Sequence, residues 1–170
     1  MSEIQEDMFG SEKQNLRDKF FAEAAERSGT HCPVCDRFGK VYPRRHNSAM
    51  ATALIWLYQQ HIITPWEFVN VGAKAPREIM KNGGSYASNR WWGLVEQEEN
   101  TDTKKHTSGN WRITGQGIQF VQGEIEIPSH VLTYDANCID SSETMTNISQ
   151  SLGRPFDYRQ LMNTPISIVK

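Results

Sequence analysis

Little in this chain of 170 residues points to a membrane, an oxidising compartment or an active site. No run of 18 apolar residues exists, which excludes a membrane-spanning helix. Residues Met1 to Gly10 are acidic and lack an apolar stretch, the opposite of a secretory signal peptide. Cysteine is scarce: Cys32, Cys35 and Cys138 are too few for a disulfide framework, so a cytosolic protein is the expectation. No phosphate-binding glycine loop, HExxH, GxSxG or EF-hand loop occurs. The carboxylates are scattered without the pairing that acid–base catalysis uses, and no enzyme is expected. No internal repeat is visible.

What is present begins with charge. The net charge of −2 conceals three blocks. Residues 1–30 carry 4 basic and 7 acidic side chains, residues 31–94 carry 8 and 3, and residues 95–170 carry 6 and 10. A basic middle between acidic ends suits a polyanion-binding face, although a pI near 6.2 lacks the strong basic signature of an obligate DNA binder. Simple surface solvation would give the same counts.

Periodicity organises the chain into one expected domain. Residues 1–10 read as a polar tail and residues 11–28 as a helix, with Leu16, Phe20, Phe21 and Ala24 near helical spacing. A CxxC knuckle follows over 31–45. Met50, Ala53, Leu54, Leu57 and Tyr58 make an apolar stripe on a helix opened by Asn47 or Ser48. Thr64-Pro65-Trp66-Glu67 has the form of a capping box and predicts a second helix, closed near Gly72. Pro76 starts a third helix, which Asn82-Gly83-Gly84 stops. Ser85 opens a fourth, through Trp91. Two strands, Gly93–Gln97 and Asn110–Thr114, flank a polar loop, and further strands are expected over 124–139. Residues 140–170 read as a tail bearing a short docking helix around Phe156–Met162.

The order helix, helix, helix, strand, polar loop, strand is that of a winged helix-turn-helix. Asn89-Arg-Trp-Trp-Gly-Leu-Val-Glu96 and Trp111-Arg-Ile-Thr-Gly-Gln-Gly-Ile-Gln-Phe120 resemble the paired strand signatures of bacterial MarR-like winged helices. Gly93 would end the recognition helix sharply, and Thr114 would cap the helix after the hairpin. The expected fold is therefore α+β: a winged helix-turn-helix core over 47–123, a zinc-knuckle-like element and a C-terminal β-hairpin with a docking tail. In such a fold Ser85, Tyr86, Ser88, Asn89 and Arg90 would face the major groove, where Asn reads adenine and Arg reads guanine. Lys74, Arg77 and Lys81 would approach phosphates, with Arg44 and Arg45 in the same basic block. Lys104, Lys105 and His106 would occupy the wing tip, where they also serve simply to keep a loop soluble.

Cys32-Pro-Val-Cys35 puts two thiols on one turn, half of a structural zinc site. His46 and Cys138 are the candidates that would complete a Cys₃His set, giving zinc a structural role. Two other readings stay open. The pair could be redox-active, though no βαβ pattern surrounds it, or it could be two small buried thiols. His46 fits equally well on the surface of the basic block. Of the adjacent Trp91 and Trp92, one would be free to anchor a partner.

Taken in order, Cys32-Pro-Val-Cys35, Lys40-Val-Tyr with Arg44, Asn47-Ser with Met50-Ala51, Trp92–Glu96, Trp111–Thr114, Phe120-Val with Gly123, Tyr134-Asp135, Cys138, Leu152-Gly with Phe156-Asp-Tyr158, and Leu161-Met162 resemble a family of small uncharacterised proteins of tailed bacteriophages and prophages. The likeness spans Cys32 to Met162. It implies a viral protein acting in the host bacterial cytoplasm, with a zinc-finger or helix-turn-helix character. His46 departs from that pattern, which carries no histidine there.

These readings converge on a DNA-binding winged-helix protein with a regulatory or replication-linked role and duplex DNA as partner. The alternative is a protein-binding inhibitor of a host factor or bacterial defence system, in which the acidic ends mimic nucleic acid. A small-molecule-sensing regulator would require a homodimer, for which the helix from Ser11 is the available element.

Overall fold

The computed structural model describes residues 3–26, 28–81 and 85–166. Its elements in chain order begin with α1 (Glu3–Ala24), β1 (Thr30–His31), β2 (Phe38–Gly39), β3 (Tyr42–Arg45) and α2 (Ser48–Ile63). Next come β4 (Val69–Asn70), α3 (Val71–Lys74), α4 (Arg77–Met80), α5 (Ser85–Ser88) and a 3₁₀ turn, Asn89–Trp92. Then follow β5 (Val95–Gln97), β6 (Asn110–Ile113), α6 (Gly115–Gln122), β7 (Ile127–Pro128) and β8 (His130–Tyr134). The last are β9 (Asn137–Ser141), β10 (Met145–Thr146), α7 (Ile148–Leu152) and α8 (Tyr158–Asn163). The architecture is mixed α+β with small sheets. Among the described residues, no helix is long and apolar enough to cross a membrane.

The chain divides into two compact units, Met1–Arg44 with Leu132–Asp140, and Arg45–Val131 with Ser141–Lys170. This replaces the expected single domain over 11–139 with a following tail, because each unit gathers its own core.

The first unit centres on Phe20, Ala24 and Val41, with Phe21, Cys32, Leu132 and Tyr134 packed around them. The rings of Phe20, Phe21 and Tyr134 meet edge to face at 5.4–5.6 Å, a geometry worth about 0.5–1.5 kcal/mol per pair beyond burial. Gly39 is required here, since a Cβ at that position would run into the Phe20 ring. Helix α1 runs from Glu3, so residues 3–10 of the expected polar tail are helical and the expected start at Ser11 is eight residues late. Strands β1 and β2 pair antiparallel, Thr30 against Gly39 and His31 against Phe38.

The second unit is built round α2. The sequence stripe understates this helix: Ala51, Ile55 and Trp56 are buried as well as Met50, Ala53, Leu54 and Leu57. It is central, with α5, α6, α7, α8 and β6 packed about it. Asn47 caps it, its side chain accepting from the Met50 N–H at 3.1 Å. The Thr64 capping box does not form a helix. Thr64 instead ends α2, its N–H returning to the Gln60 carbonyl. Trp66 adopts a left-handed conformation (φ 63°). Its N–H donates to His61 Nδ1 at 3.1 Å and its carbonyl accepts from Arg112 at 2.9 Å. These bonds turn the chain into β4 rather than a helix. The expected helix closure at Gly72 falls inside α3, which Asn70 caps through the Ala73 N–H. Pro76 does open α4. The expected stop at Asn82-Gly83-Gly84 lies outside the described residues.

Strands β5 and β6 form the antiparallel hairpin, Val95 opposite Ile113 and Gln97 opposite Trp111. Strand β4 pairs with β6 on its other edge, giving the order β4-β6-β5. Thr114 caps α6, and Gly93 (φ 68°) and Gly123 (φ 77°) take the left-handed positions that end the elements before them. Of the strand expected over Glu124–Ile127, only Ile127 is paired, β7 lying against β10. The segment read as a tail is integral to this unit: Ile148 and Leu152 are buried in its core. Tyr158 donates its hydroxyl to the Val121 carbonyl at 2.6 Å, and Gln59 holds the Leu161 and Thr164 carbonyls.

Candidate nucleic-acid interface

The exposed cations of the second unit follow from its helix boundaries. Lys74 ends α3, Arg77 opens α4, and Lys81 caps the end of α4; all three side chains are exposed. Ile79 between them is buried, which anchors the segment and turns the cations outward. Glu78 is the acid of this stretch. Among the described residues none of the three cations pairs with a carboxylate. Arg90 lies on the 3₁₀ turn, exposed, with its guanidinium 5.7 Å from the Trp91 ring centroid.

The segment expected to enter the major groove is short. Ser85, Tyr86 and Ser88 on α5 are half-buried, Tyr86 packing edge-on against Trp111 at 5.9 Å. Asn89 departs from expectation altogether. It is fully buried, and its amide nitrogen donates to the carbonyls of Met50 and Tyr86 while its oxygen meets His46 Nε2 at 2.9 Å. A side chain with all of its hydrogen bonds spent inside the core reads no base, so Asn89 leaves the expected set of base contacts. Trp92 is likewise buried, donating its indole N–H to the Pro128 carbonyl at 2.6 Å. The indole open to solvent is instead Trp66, beside exposed Ile62 and Ile63. The capping-box reading of Thr64–Glu67 hid that patch, since it placed Trp66 on a helix.

The hairpin loop holds Lys104, Lys105 and His106, all exposed. Lys105 pairs with Asp102 at 3.5 Å, an exposed contact worth about 0–1 kcal/mol that a phosphate would displace readily. Glu98 at the base is occupied structurally, its carboxylate accepting from Asn110 at 2.6 Å. Arg112, which the sequence did not single out, is engaged by Glu96 at 2.6 Å and lies 4.3 Å from the Phe68 ring centroid. Arg44 and Arg45 are exposed on β3, Arg44 stacked over Tyr42 at 5.2 Å; Arg44 belongs to the first unit.

Comparison with protein-family models, with curated proteins and with solved structures finds no match.

The expected zinc ligands do not assemble as a set. Among the described residues, no three His, Cys, Asp or Glu side chains gather at metal-binding distance. His46 lies in the core of the second unit, 2% exposed, its ring edge-on to Trp92 at 5.1 Å and Phe120 at 5.3 Å. Its Nε2 is taken by Asn89. Cys138 is exposed on β9, its thiol directed to the Asp140 carbonyl at 3.5 Å. With Arg17, Asp18 and Phe21 of α1 it lines an open groove of about 720 Å³.

Cys32 and Cys35 lie on a tight turn between β1 and β2. The Cys32 N–H donates to Arg37 and its carbonyl accepts from Asp36, both at 2.9 Å. Asp36 is left-handed (φ 58°), which closes the turn. Backbone N–H groups of Val34 and then Cys35, with the Cys35 thiol, point at the Cys32 sulfur and hold its pKa below the usual thiol value. Such an arrangement stabilises a thiolate, the form that metals and electrophiles engage. It fits one half of a tetrahedral zinc set.

Proposed function

We propose that this chain is a phage-encoded winged-helix protein of the host cytoplasm that binds duplex DNA through its second unit, in a regulatory or replication-linked role. The observation that carries the reading is the set of exposed cations Lys74, Arg77, Lys81 and Arg90 on the elements that lead into the β5–β6 hairpin. The reading is supported by the run α2, β4, α3–α4, α5 with its 3₁₀ turn, β5, β6 and by the sheet order β4-β6-β5, an order a winged helix would require. With Asn89 buried and α5 only four residues long, phosphate contacts outweigh base readout. Arg90 is the residue best placed to add sequence preference, with Ser85 and Ser88 beside it.

Gel retardation of random duplex over a salt series tests this. Four phosphate contacts give a log–log slope of roughly −3.6, and Arg77→Glu with Lys81→Glu should abolish the shift. Micromolar protein that leaves duplex unretarded at low salt overturns the proposal.

A second reading, an inhibitor that binds a host protein, draws on the exposed Ile62, Ile63 and Trp66. Under it, a host protein is retained from nuclease-treated lysate and is lost with Trp66→Ala, while DNA retardation is unaffected.

A further inference from the structure

We infer that the Cys32–Cys35 knuckle is one half of a zinc site whose other half is the same knuckle of a second copy of this chain. A structural zinc takes four ligands, and Cys₄ is among its commonest sets. One knuckle offers two sulfurs on a turn that is already braced. Strands β1 and β2 pair on either side of it, and Gly29 lies so close to Phe38 that a Cβ there would approach Cζ at 2.7 Å. The turn is therefore braced at the end of a two-stranded arm, with Cys32 half-buried against the core of the first unit and Cys35 exposed.

The way the tip is presented selects the partner. Cys35 is exposed, Val34 is 78% exposed and Phe38 is 52% exposed. An apolar tip flanking two thiols is costly in water and suited to meeting another such tip. A two-fold axis through the metal supplies the missing two sulfurs with the same geometry and needs no other component. Asp36 and Arg37 lie side by side on the tip, so a facing copy meets both signs of charge rather than one.

On assembly four S–H bonds are lost, four Zn–S bonds of about 2.3 Å form, and four protons pass to solvent. Each sulfur passes from neutral thiol to bound thiolate, the site with its Zn²⁺ carries two negative charges, and nothing is oxidised. Only the cysteine pair of the expected ligand set is used; His46 and Cys138 are not. The inference is independent of DNA binding, and gel retardation does not bear on it.

The full chain is prepared with added zinc, and its metal content and mass in solution are measured. The expected result is one zinc per two chains in a dimer that a chelator returns to monomer. Cobalt in place of zinc should show the charge-transfer and d–d bands of a tetrahedral four-thiolate site. Cys35→Ser should abolish both metal and dimer, and Cys138→Ser should change neither. Val34→Glu, which keeps both thiols, should weaken the dimer by about tenfold or more, the effect of placing like charges at a contact centre. One zinc on a monomeric chain, no zinc at all, or a dimer indifferent to chelator and to Cys35→Ser each overturns the inference.

Discussion

His46 is the residue whose chemistry the fold alters most. The Asn89 amide nitrogen is committed to the Met50 and Tyr86 carbonyls, so its oxygen must face His46. That fixes the proton on His46 Nε2 and leaves Nδ1 as a bare lone pair, buried without a partner among the described residues. Protonation would bury a charge there, and burial pushes the pKa down to about 4 despite the Asn89 hydrogen bond, which acts upward. The unfolded chain therefore binds this proton first as pH falls. The contribution is fully present above the unfolded value of 6.5 and is lost between there and about 4. The full loss is about 3 kcal/mol. Urea midpoints measured from pH 7 to pH 4 should fall accordingly, and His46→Leu should remove that slope. Asn89→Ala orphans a second ring nitrogen and frees two carbonyls, so it should destabilise by about 2–3 kcal/mol in chemical denaturation at pH 7.

Among the elements, the hairpin and α6 are locked together at two points. Thr114 donates its hydroxyl to the Gly93 carbonyl at 2.7 Å and accepts from the Gly117 N–H at 3.0 Å, joining the end of the 3₁₀ turn to the start of α6. Thr114→Ala should cost about 0.5–2 kcal/mol in chemical denaturation. Gly117 sits against the Leu94 carbonyl, and a Cβ there would collide with it and approach Ile113 Cγ1 at 2.6 Å. Gly117→Ala should therefore destabilise by about 1–3 kcal/mol even though alanine is the better helix former, because the backbone at Leu94 cannot yield cheaply. The reverse result, a more stable variant, would mean that α6 stands farther from the hairpin than this packing implies.

For the whole molecule, two separate cores imply two separable responses. Phe20 and Leu54 each anchor one. Phe20→Ala should raise amide exchange in α1 and in residues 38–41 while leaving α2 protected, and Leu54→Ala should do the converse at a cost of about 2–5 kcal/mol. Simultaneous loss of protection in both units from either substitution would show that they unfold as one.

What residues 48–63, 85–97 and 110–123 become was legible from the sequence alone. Apolar spacing, Asn47, Gly93, Thr114 and Gly123 act on neighbours within one or two turns, so local chemistry suffices to place α2, the hairpin and α6. The CxxC turn was legible for the same reason. Tertiary structure decided the rest. Thr64–Glu67 satisfies every local rule for a helix start, yet His61 and Arg112 claim the Trp66 backbone, and Arg112 is 46 residues away. Asn89 and His46 are polar residues that pattern reading sends to the surface. Their burial rests on a hydrogen-bond network across 43 residues, which no local window contains. The division into two units depends on residues 132–140 joining the N-terminal segment, a long-range choice made by which apolar side chains can fill the space around Phe20.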